Sequence, residues 1–255
     1  MYHLEGKTAG ITGVSNVSGL GFAITRRLLE EGCRCFIVAR NAQKLSAMTE
    51  ALSAFGEIRG FLCDVSDYKQ VSRLADEVRA AYGRIDFYVN NAGVSPNVSI
   101  RDMTVEDWDR GFGVNLRSVF LSAKLIAPLI REGGSIVNAA SFVSLLPTAG
   151  LSMYSASKAG VLSLTRVMAA EFAKDKIRVN AYVPGLMATS MNEAKIAAMP
   201  DRLMSQIASH EFGTADDVAN AVAFLLSDEA RYINGTYLNV SGGKFCTQNP
   251  DYAWC

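Results

Sequence analysis

This 255-residue sequence is poor in the residues that metal centres and disulfide frameworks require. It has two histidines and an odd number of cysteines, five, and their positions do not match the spacing of a zinc site. We therefore expect reduced thiols and no bound metal. The residues concerned are His3, His210, Cys33, Cys35, Cys63, Cys246 and Cys255.

The sequence also lacks an excess of charge of one sign and long hydrophobic runs. The 25 basic and 25 acidic residues cancel, which gives no electrostatic reason to expect nucleic acid or an anionic membrane as a partner. No run reaches ~18 consecutive apolar residues, the length a membrane span needs. The first residues, Met1 to Lys7, lack the apolar core of a signal peptide. We expect a cytoplasmic protein.

The chain is nevertheless 49% hydrophobic, enough for a large core, and no shift in composition marks a linker. We expect one domain over residues 1–255. Short apolar or β-branched runs alternate with helical patterns, which predicts an α/β fold: a doubly wound parallel sheet of about seven strands with helices on both faces. Strands are predicted near 8–12, 35–39, 58–62, 86–89, 134–139, 177–183 and 236–240, and helices near 20–31, 42–54, 67–81, 105–130, 153–173 and 215–226.

A glycine-rich segment follows the first predicted strand and precedes a helical pattern. Glycines at such a junction permit a tight turn and let the backbone approach a pyrophosphate, while the helix N-terminus offers unpaired N–H groups to the phosphates. The segment therefore predicts a dinucleotide-binding loop. Its candidate contacts are Gly13, Ser15, Asn16, Gly19, Leu20 and Gly21.

Tyr154 and Lys158 stand four residues apart, and Ser141 lies thirteen positions before the tyrosine. Residues four apart share one face of a helix, so the ammonium is expected to favour the ionised phenol. An unperturbed tyrosine has a pKa of about 10 and is almost fully protonated at pH 7. A phenol, an ammonium and a hydroxyl together are suited to protonating a carbonyl oxygen, which indicates ketone and alcohol chemistry.

Together with Asn115 and the run Asn90-Asn91-Ala92-Gly93, these motifs resemble the short-chain dehydrogenase/reductase family over residues 5–243. The resemblance implies a Rossmann-type fold and a nicotinamide cofactor. It also implies that Tyr154 is the general acid/base, that Lys158 lowers the pKa of Tyr154 and binds the nicotinamide ribose, and that Ser141 hydrogen-bonds the substrate oxygen.

The resemblance further implies that Asn115 holds a water in the proton relay behind the lysine. Asn91 could instead only shape a turn, and Thr189 could only cap the next helix. The further cofactor contacts that the resemblance implies are Asp64, Val65, Asn91, Ala92, Gly93, Pro184, Gly185 and Thr189.

The second predicted strand indicates which cofactor is bound. An NAD site usually has an acidic residue about 20 positions beyond the glycines, whereas a cation there suits the 2′-phosphate of NADP. No acidic residue occurs from Gly32 to Thr49, and the strand ends at Arg40, followed by Asn41 and Lys44. A guanidinium binds phosphate well, so we predict NADP(H).

Two features depart from the family pattern. Five residues separate Gly13 from Gly19, two more than the usual three, and this resembles the enoyl reductase branch. In that branch the catalytic tyrosine and lysine are seven apart, but the residue seven after Tyr154 is Val161, so the ketoreductase spacing is favoured. The second departure is a tail, residues 244–255, in which Phe245, Tyr252 and Trp254 suggest packing, against a neighbouring subunit or back on the same one.

The predicted function is NADPH-dependent reduction of a ketone to a secondary alcohol, reversible in principle. Residues 186–210 are expected to form a lid, and its methionines suggest a bulky, apolar carbonyl substrate, although they could equally pack on the core. The candidate substrate contacts are Ser141, Phe142, Tyr154, Met187 and Met191. A 3-oxoacyl group on an acyl carrier protein is one candidate substrate, and an NADP-binding regulator or scaffold without turnover is the alternative of another class.

The two long predicted helices, near 105–130 and 153–173, have counterparts in similar proteins that pair across a two-fold axis. We therefore expect a homotetramer. The residues at helical spacing are Leu116, Val119, Phe120, Ala123 and Ala127 on the first helix and Leu162, Arg166, Ala169, Ala170 and Ala173 on the second, although burial within one subunit could explain part of the pattern.

Overall fold

A computed structural model describes residues 2, 4–190, 192–244 and 246–252. In this part of the chain seven strands, β1 to β7, cover Thr8–Thr12, Arg34–Ala39, Ile58–Leu62, Ile85–Asn90, Ile130–Ala139, Arg178–Pro184 and Tyr237–Val240. The helices α1 to α9 cover Leu20–Glu30, Ala42–Leu52, Tyr68–Tyr82, Val105–Phe112, Ser118–Leu125, Ser152–Phe172, Glu193–Ala198, Pro200–Met204 and Ala215–Leu226.

The strands form one parallel sheet in the order β3-β2-β1-β4-β5-β6-β7. All five residues of β1 are buried, as expected for a central strand covered on both faces. Residues of α1, α2 and α9 pack on one face, and residues of α3, α5 and α6 pack on the other. The predicted Rossmann-type α/β fold is confirmed.

The order of the strands locates the ligand site. The chain runs outward from β1 through β2 to β3 and then crosses to β4 on the other side of β1, so the direction of winding reverses between β1 and β4. In open α/β sheets ligands bind beyond the carboxyl ends of the strands at such a reversal. The glycine loop follows β1, and residues 91–97 follow β4, so both border that point.

The helix predicted over residues 105–130 is a continuous helical run, Val105–Leu129, within which the type of helix changes. Helix α4 ends at Phe112, a π-helical turn covers Gly113–Arg117, and α5 ends at Leu125. A 3-10 turn with Pro128 near its start follows, and β5 then begins at Ile130, four residues before the predicted strand. Proline disfavours helix continuation because its ring excludes the helical hydrogen bond and restricts the preceding residue.

In the described part of the chain, one helical run, Val105–Leu129, is long and apolar enough to cross a membrane. Half of its most apolar window is buried inside the protein. Residues of α5 belong to the core that α3 and α6 share, so this run is a core helix.

The tail begins with a buried residue, and most of its other described residues are exposed. Lys244 is buried, whereas residues 246–249 are exposed and Tyr252 is 80% exposed. Tyr252 is thus not packed on its own subunit, and packing against a neighbour remains a prediction. Phe245 and Trp254 lie outside the described residues.

Candidate active site

The glycine loop approaches the turn after β4 too closely for side chains. Gly13 has a φ of +76°, and a Cβ there would lie 2.6 Å from the Cα of Ala92. A Cβ at Gly21 would lie 2.7 Å from the side-chain nitrogen of Asn91. Gly19, at the N-cap of α1, has no side chain to cap the helix, so the first N–H groups of α1 can serve an anion. These positions suit a dinucleotide diphosphate.

Asn16 defines the conformation of the lengthened loop. Its Oδ1 accepts hydrogen bonds from the backbone nitrogen and the hydroxyl of Ser18, each at 3.0 Å. Its Nδ2 donates to the hydroxyl of Ser190 at 2.9 Å. The extra residues therefore form a local turn, and Asn16 ties the glycine loop to the segment after β6.

Asn91 does shape a turn, the simpler of its two expected roles. Its Nδ2 donates to the carbonyl of Thr12 at 2.8 Å, and its Oδ1 accepts from the hydroxyl of Tyr182 at 2.8 Å. The backbone nitrogens of Asn91 and Ala92 both donate to Oγ1 of Thr12 at 3.0 Å. This network fastens the end of β4 to the ends of β1 and β6, and thereby positions the cavity wall.

A cavity of about 790 Å³ lies at the carboxyl ends of the strands. The volume and the glycine cradle suit a dinucleotide with a small substrate beside it. The structure brings every predicted cofactor residue to its wall: Gly13, Ser15, Asn16, Gly19, Leu20, Gly21, Arg40, Asp64, Val65, Asn91, Ala92, Gly93, Tyr154, Lys158, Pro184, Gly185 and Thr189.

Ser141, Tyr154 and Lys158 meet at the inner end of this cavity. Ser141 is the second residue after β5, which ends at Ala139, and its side chain hydrogen-bonds the Tyr154 phenol. Tyr154 and Lys158 share the first turns of α6, and the ammonium lies 5.8 Å from the centre of the phenol ring. Lys158 is 3% exposed and donates to the carbonyl of Ala139 at 2.7 Å. The predicted groups are therefore adjacent and held by two neighbouring elements.

The pKa of Tyr154 shifts opposite to the sequence-based expectation. Burial raises the pKa of Tyr154, and the hydrogen bond with Ser141 only partly opposes this. Burial also lowers the pKa of Lys158 to about 8, because an ammonium loses its hydration there. Packing withdraws both groups from water, so four-residue spacing alone does not produce an acidic phenol.

Asn115 lies behind this cluster, on the π-helical turn, and does not line the cavity. Its Nδ2 donates to the carbonyl of Val94 at 2.9 Å and to the hydroxyl of Ser157 at 3.0 Å, and its Oδ1 accepts from the Val94 nitrogen at 2.8 Å. The side chain thus fixes the loop after β4 against α6. π-Helical turns are frequent at functional sites, and this one sets Asn115 beside the catalytic candidates.

The far end of the cavity is lined by residues that follow β2 and β3. Arg40 is exposed, and Asn41 caps α2 by accepting from the Lys44 nitrogen at 2.9 Å. Both Arg40 and Lys44 line the cavity. Oδ1 of Asp64 accepts from the nitrogen and the hydroxyl of Ser66 at 2.9 and 2.7 Å. Asp64 is the one acidic residue among the described residues of the wall.

Of the predicted substrate residues, Ser141, Phe142, Tyr154 and Met187 line the cavity. Met187 is also part of the main core, and its sulfur fills the space that a Cβ at Gly213 would occupy. Met187 therefore packs on the core and lines the cavity as well. Met191 lies outside the described residues.

Sequence reasoning did not assign the cavity residues of the loops after β4 and β5. Since parallel strands end at the same edge of a sheet, any loop after β4 or β5 was a candidate, but the residue pattern did not say which side chains point inward. The residues missed there are Val94, Ser95, Asn97, Val143, Thr148, Ala149 and Leu151.

The described residues contain no group of three or more histidine, cysteine or acidic side chains that could hold a metal. Cys33, Cys35, Cys63 and Cys246 are free thiols. Burial raises the pKa of Cys33 and Cys63 to about 12, so these thiols stay protonated and unreactive at neutral pH.

The fold and the site together define a nicotinamide-dependent oxidoreductase of the α/β class. A family model described as enoyl-(acyl carrier protein) reductase matches residues 13–244. The 3-oxoacyl-(acyl carrier protein) reductase FabG of Thermotoga maritima is 36% identical over 243 residues, 94% of this chain and 98% of that protein. The D-threitol dehydrogenase of Mycolicibacterium smegmatis is 36% identical over 246 residues, 95% of this chain and 94% of that protein.

Solved structures agree with these sequence similarities. The crystal structure of a short-chain dehydrogenase/reductase from Burkholderia xenovorans matches with a TM-score of 0.90 at 34% identity, covering 98% of this chain and 100% of the other. The chain belongs to the short-chain dehydrogenase/reductase family, and it is an oxidoreductase of that family.

Proposed function

We propose that this protein is an NADP(H)-dependent ketoreductase that reduces a bulky, largely apolar ketone to a secondary alcohol. The observation that carries the proposal is the meeting of Ser141, Tyr154 and Lys158 in the same cavity as the glycine cradle. When bound, the nicotinamide supplies the hydride. Ser141 orients the carbonyl oxygen, Tyr154 protonates it, and Lys158 binds the cofactor ribose and holds positive charge beside the phenol.

Carbonyl reduction is favoured over enoyl reduction by the residues of α6. Lys158 lies beside the phenol ring of Tyr154, one helical turn away. Val161, where the enoyl reductase branch has its lysine, is fully buried in the apolar core. This geometry supports the ketoreductase spacing, although the matching family model takes its description from enoyl reductases.

The choice of substrate rests on the wall beside Ser141. Its apolar members support a bulky apolar group next to the carbonyl. They are Val94, Phe142, Val143, Leu151, Leu186 and Met187. A 3-oxoacyl thioester on an acyl carrier protein is the second candidate, favoured by the 36% identity to the reductase of T. maritima. Oxidation of NADPH against simple ketones, 3-oxoacyl thioesters and ketoses tests both candidates, and turnover of ketoses alone would contradict them.

We expect NADP(H) to bind at least about tenfold more tightly than NAD(H), roughly 1.4 kcal/mol, because Arg40 and Lys44 offer cations to a 2′-phosphate. Replacing Arg40 by alanine should remove most of this preference. Fluorescence titration of both reduced cofactors measures it. Arg73→Ala is the matched control, since Arg73 is exposed on α3 and does not line the cavity. Equal dissociation constants in the native protein would contradict the prediction.

We also propose a homotetramer. Several residues that the helical spacing predicts as contacts between subunits are instead buried within their own subunit: Val119, Ala127, Leu162 and Ala169. Phe120 on α5 and Val167 on α6, in contrast, are about half exposed, at 51% and 49%. Burying such exposed apolar side chains against another copy of the chain lowers the free energy of the assembly. Light scattering at micromolar concentration should find the tetramer, and a monomer alone would refute it.

The remaining alternative is a cofactor-binding regulator or scaffold without turnover. Such a protein needs the nucleotide site but has no use for the phenol, so a Tyr154 variant separates it from an enzyme. Cytoplasmic localisation remains a prediction.

A further inference from the structure

Lys244, the first residue of the tail, reaches the substrate side of the site. It is 5% exposed, and its ammonium lies 5.2 Å from the centre of the Phe142 ring. Phe142 lines the cavity and directly follows Ser141. The ammonium also donates to Oε1 of Gln206 at 2.8 Å. One side chain therefore contacts both the wall beside the catalytic serine and residues 186–210, the predicted lid.

The backbone before Lys244 is fitted to the same lid segment. Gly242 and Gly243 have φ values of +60° and +77°, which favour glycine, and a Cβ at Gly243 would lie 2.9 Å from the Cβ of Ala208. The nitrogen of Ser209 donates to the carbonyl of Gly242 at 2.9 Å. Residues 206–209 of the lid are thus held by residues 242–244 through backbone and side chain together.

The other lid residues are held by a small apolar cluster and by contacts near the start of the lid, such as the hydrogen bond from Asn16 to Ser190. The apolar cluster consists of Leu186, Leu203 and Ile207, with Ile196 and Phe212 packed against it. A cluster of this size contributes far less than the cores on the two faces of the sheet. The contacts of residues 242–244 therefore contribute to the local stability of residues 206–209.

Burying the ammonium of a lysine at this position is unfavourable in free energy. Burial, together with the nearby charge of Lys195 on α7, lowers the pKa of Lys244 to about 8, so the folded protein disfavours the charge. An apolar side chain would fill the space without that cost. What the ammonium adds is a directed hydrogen bond to Gln206 and attraction to the face of the Phe142 ring.

We propose that Lys244 is a positioning residue that ties the lid to Phe142 and thereby sets how tightly the carbonyl substrate binds. The inference rests on the proposed function, in which Phe142 and the lid border the substrate. It assigns no chemical step to Lys244. Because Lys244 does not line the cavity, its effect reaches the substrate through Phe142 and Gln206.

The test compares Lys244→Met, Gln206→Met, the double variant and Lys244→Arg in the full-length protein. Each methionine variant should raise the KM for the carbonyl substrate about three- to tenfold, the ordinary effect of one hydrogen bond, with kcat and the NADPH dissociation constant changed less than about twofold. The double variant should match the worse single variant, because both remove the same contact. Lys244→Arg, which keeps the charge and a donor, should restore most of the affinity.

Three kinetic results would overturn the inference: an unchanged KM in Lys244→Met, effects that multiply in the double variant, or a cofactor affinity that falls in parallel with substrate affinity. The last would show general loosening of the fold. If Lys244→Met does not fold, Gln206→Met makes the same test from the lid, where the side chain is only half-buried.

Hydrogen exchange gives a readout that needs no turnover. Amides of residues 206–209 should exchange about three- to tenfold faster in Lys244→Met, while those of β1 keep their rates. Unchanged exchange in residues 206–209 would overturn the inference. If the native protein reduces no ketone, the proposed function fails, and the exchange result still decides whether Lys244 holds the lid.

Discussion

Replacing Tyr154 by phenylalanine should lower the rate of ketone reduction by about 10²- to 10⁴-fold, the usual contribution of a positioned general acid. The change removes the phenol hydroxyl and its hydrogen bond with Ser141 but leaves the ring beside Lys158. Cofactor affinity should stay nearly intact, because the glycine cradle and Lys158 are untouched. Single-turnover oxidation of NADPH, with a parallel cofactor titration, measures both effects.

The pH dependence of the native enzyme follows from the raised pKa of Tyr154. Burial keeps the phenol protonated across neutral pH, which is the form that donates a proton during reduction. Reduction should therefore be maintained up to about pH 8, where Lys158 begins to lose its proton, and fall further as the phenol ionises. Alcohol oxidation, which needs the phenolate as base, should rise with pH over the same range. Tyr88→Phe is a matched control for Tyr154→Phe and should keep the pH dependence of the native enzyme, since Tyr88 is a buried tyrosine of β4 outside the cavity.

Retention of most of the reductase rate by Tyr154→Phe would exclude the phenol as the acid. With cofactor binding intact, that outcome would favour the regulator without turnover.

Replacing Lys158 by methionine should abolish turnover and also weaken cofactor binding. The ammonium is fixed by the carbonyl of Ala139 at 2.7 Å and faces the cavity beside Gly93, where a Cβ would lie 3.4 Å from Nζ. Gly93 therefore leaves room for a ligand group next to the charge. Loss of turnover with an unchanged cofactor dissociation constant would contradict the proposed double role. Lys124→Met, an exposed lysine of α5, is the matched control.

The same variant should make the folded protein more stable near pH 7. Burial lowers the pKa of Lys158 from 10.5 to about 8, so between these values the unfolded chain binds more protons than the folded one. Stability therefore rises with pH over that range, and below pH 8 the buried charge costs its full penalty. Methionine removes the penalty but leaves the Ala139 carbonyl without this donor.

The net gain should be about 1 to 3 kcal/mol in the free energy of unfolding at pH 7, and it should disappear above about pH 10.5. Urea unfolding of both proteins at pH 7 and pH 10.5, at equal protein concentration, tests this. A Lys158→Met variant that is less stable than the native protein at pH 7 would show that the ammonium is a net stabilising contact.

Local patterns in the sequence determined most of the fold and the membership of the site. The fully buried run of β1, the glycines after it and the four-residue spacing of Tyr154 and Lys158 are relations between near neighbours, and chain geometry alone constrains them. Because parallel strands end at one edge, placing these motifs after β1 and β5 was enough to bring them to one cavity.

Relations between distant segments were decided only by the tertiary structure. Asn115 contacts Val94 and Ser157, and Lys244 contacts Phe142 and Gln206, only when the chain is folded. The pKa of Tyr154 rises because elements far apart in the chain cover it. Removal of water depends on everything that packs around a group, so the sequence identified the candidate groups, and the packing determined their pKa.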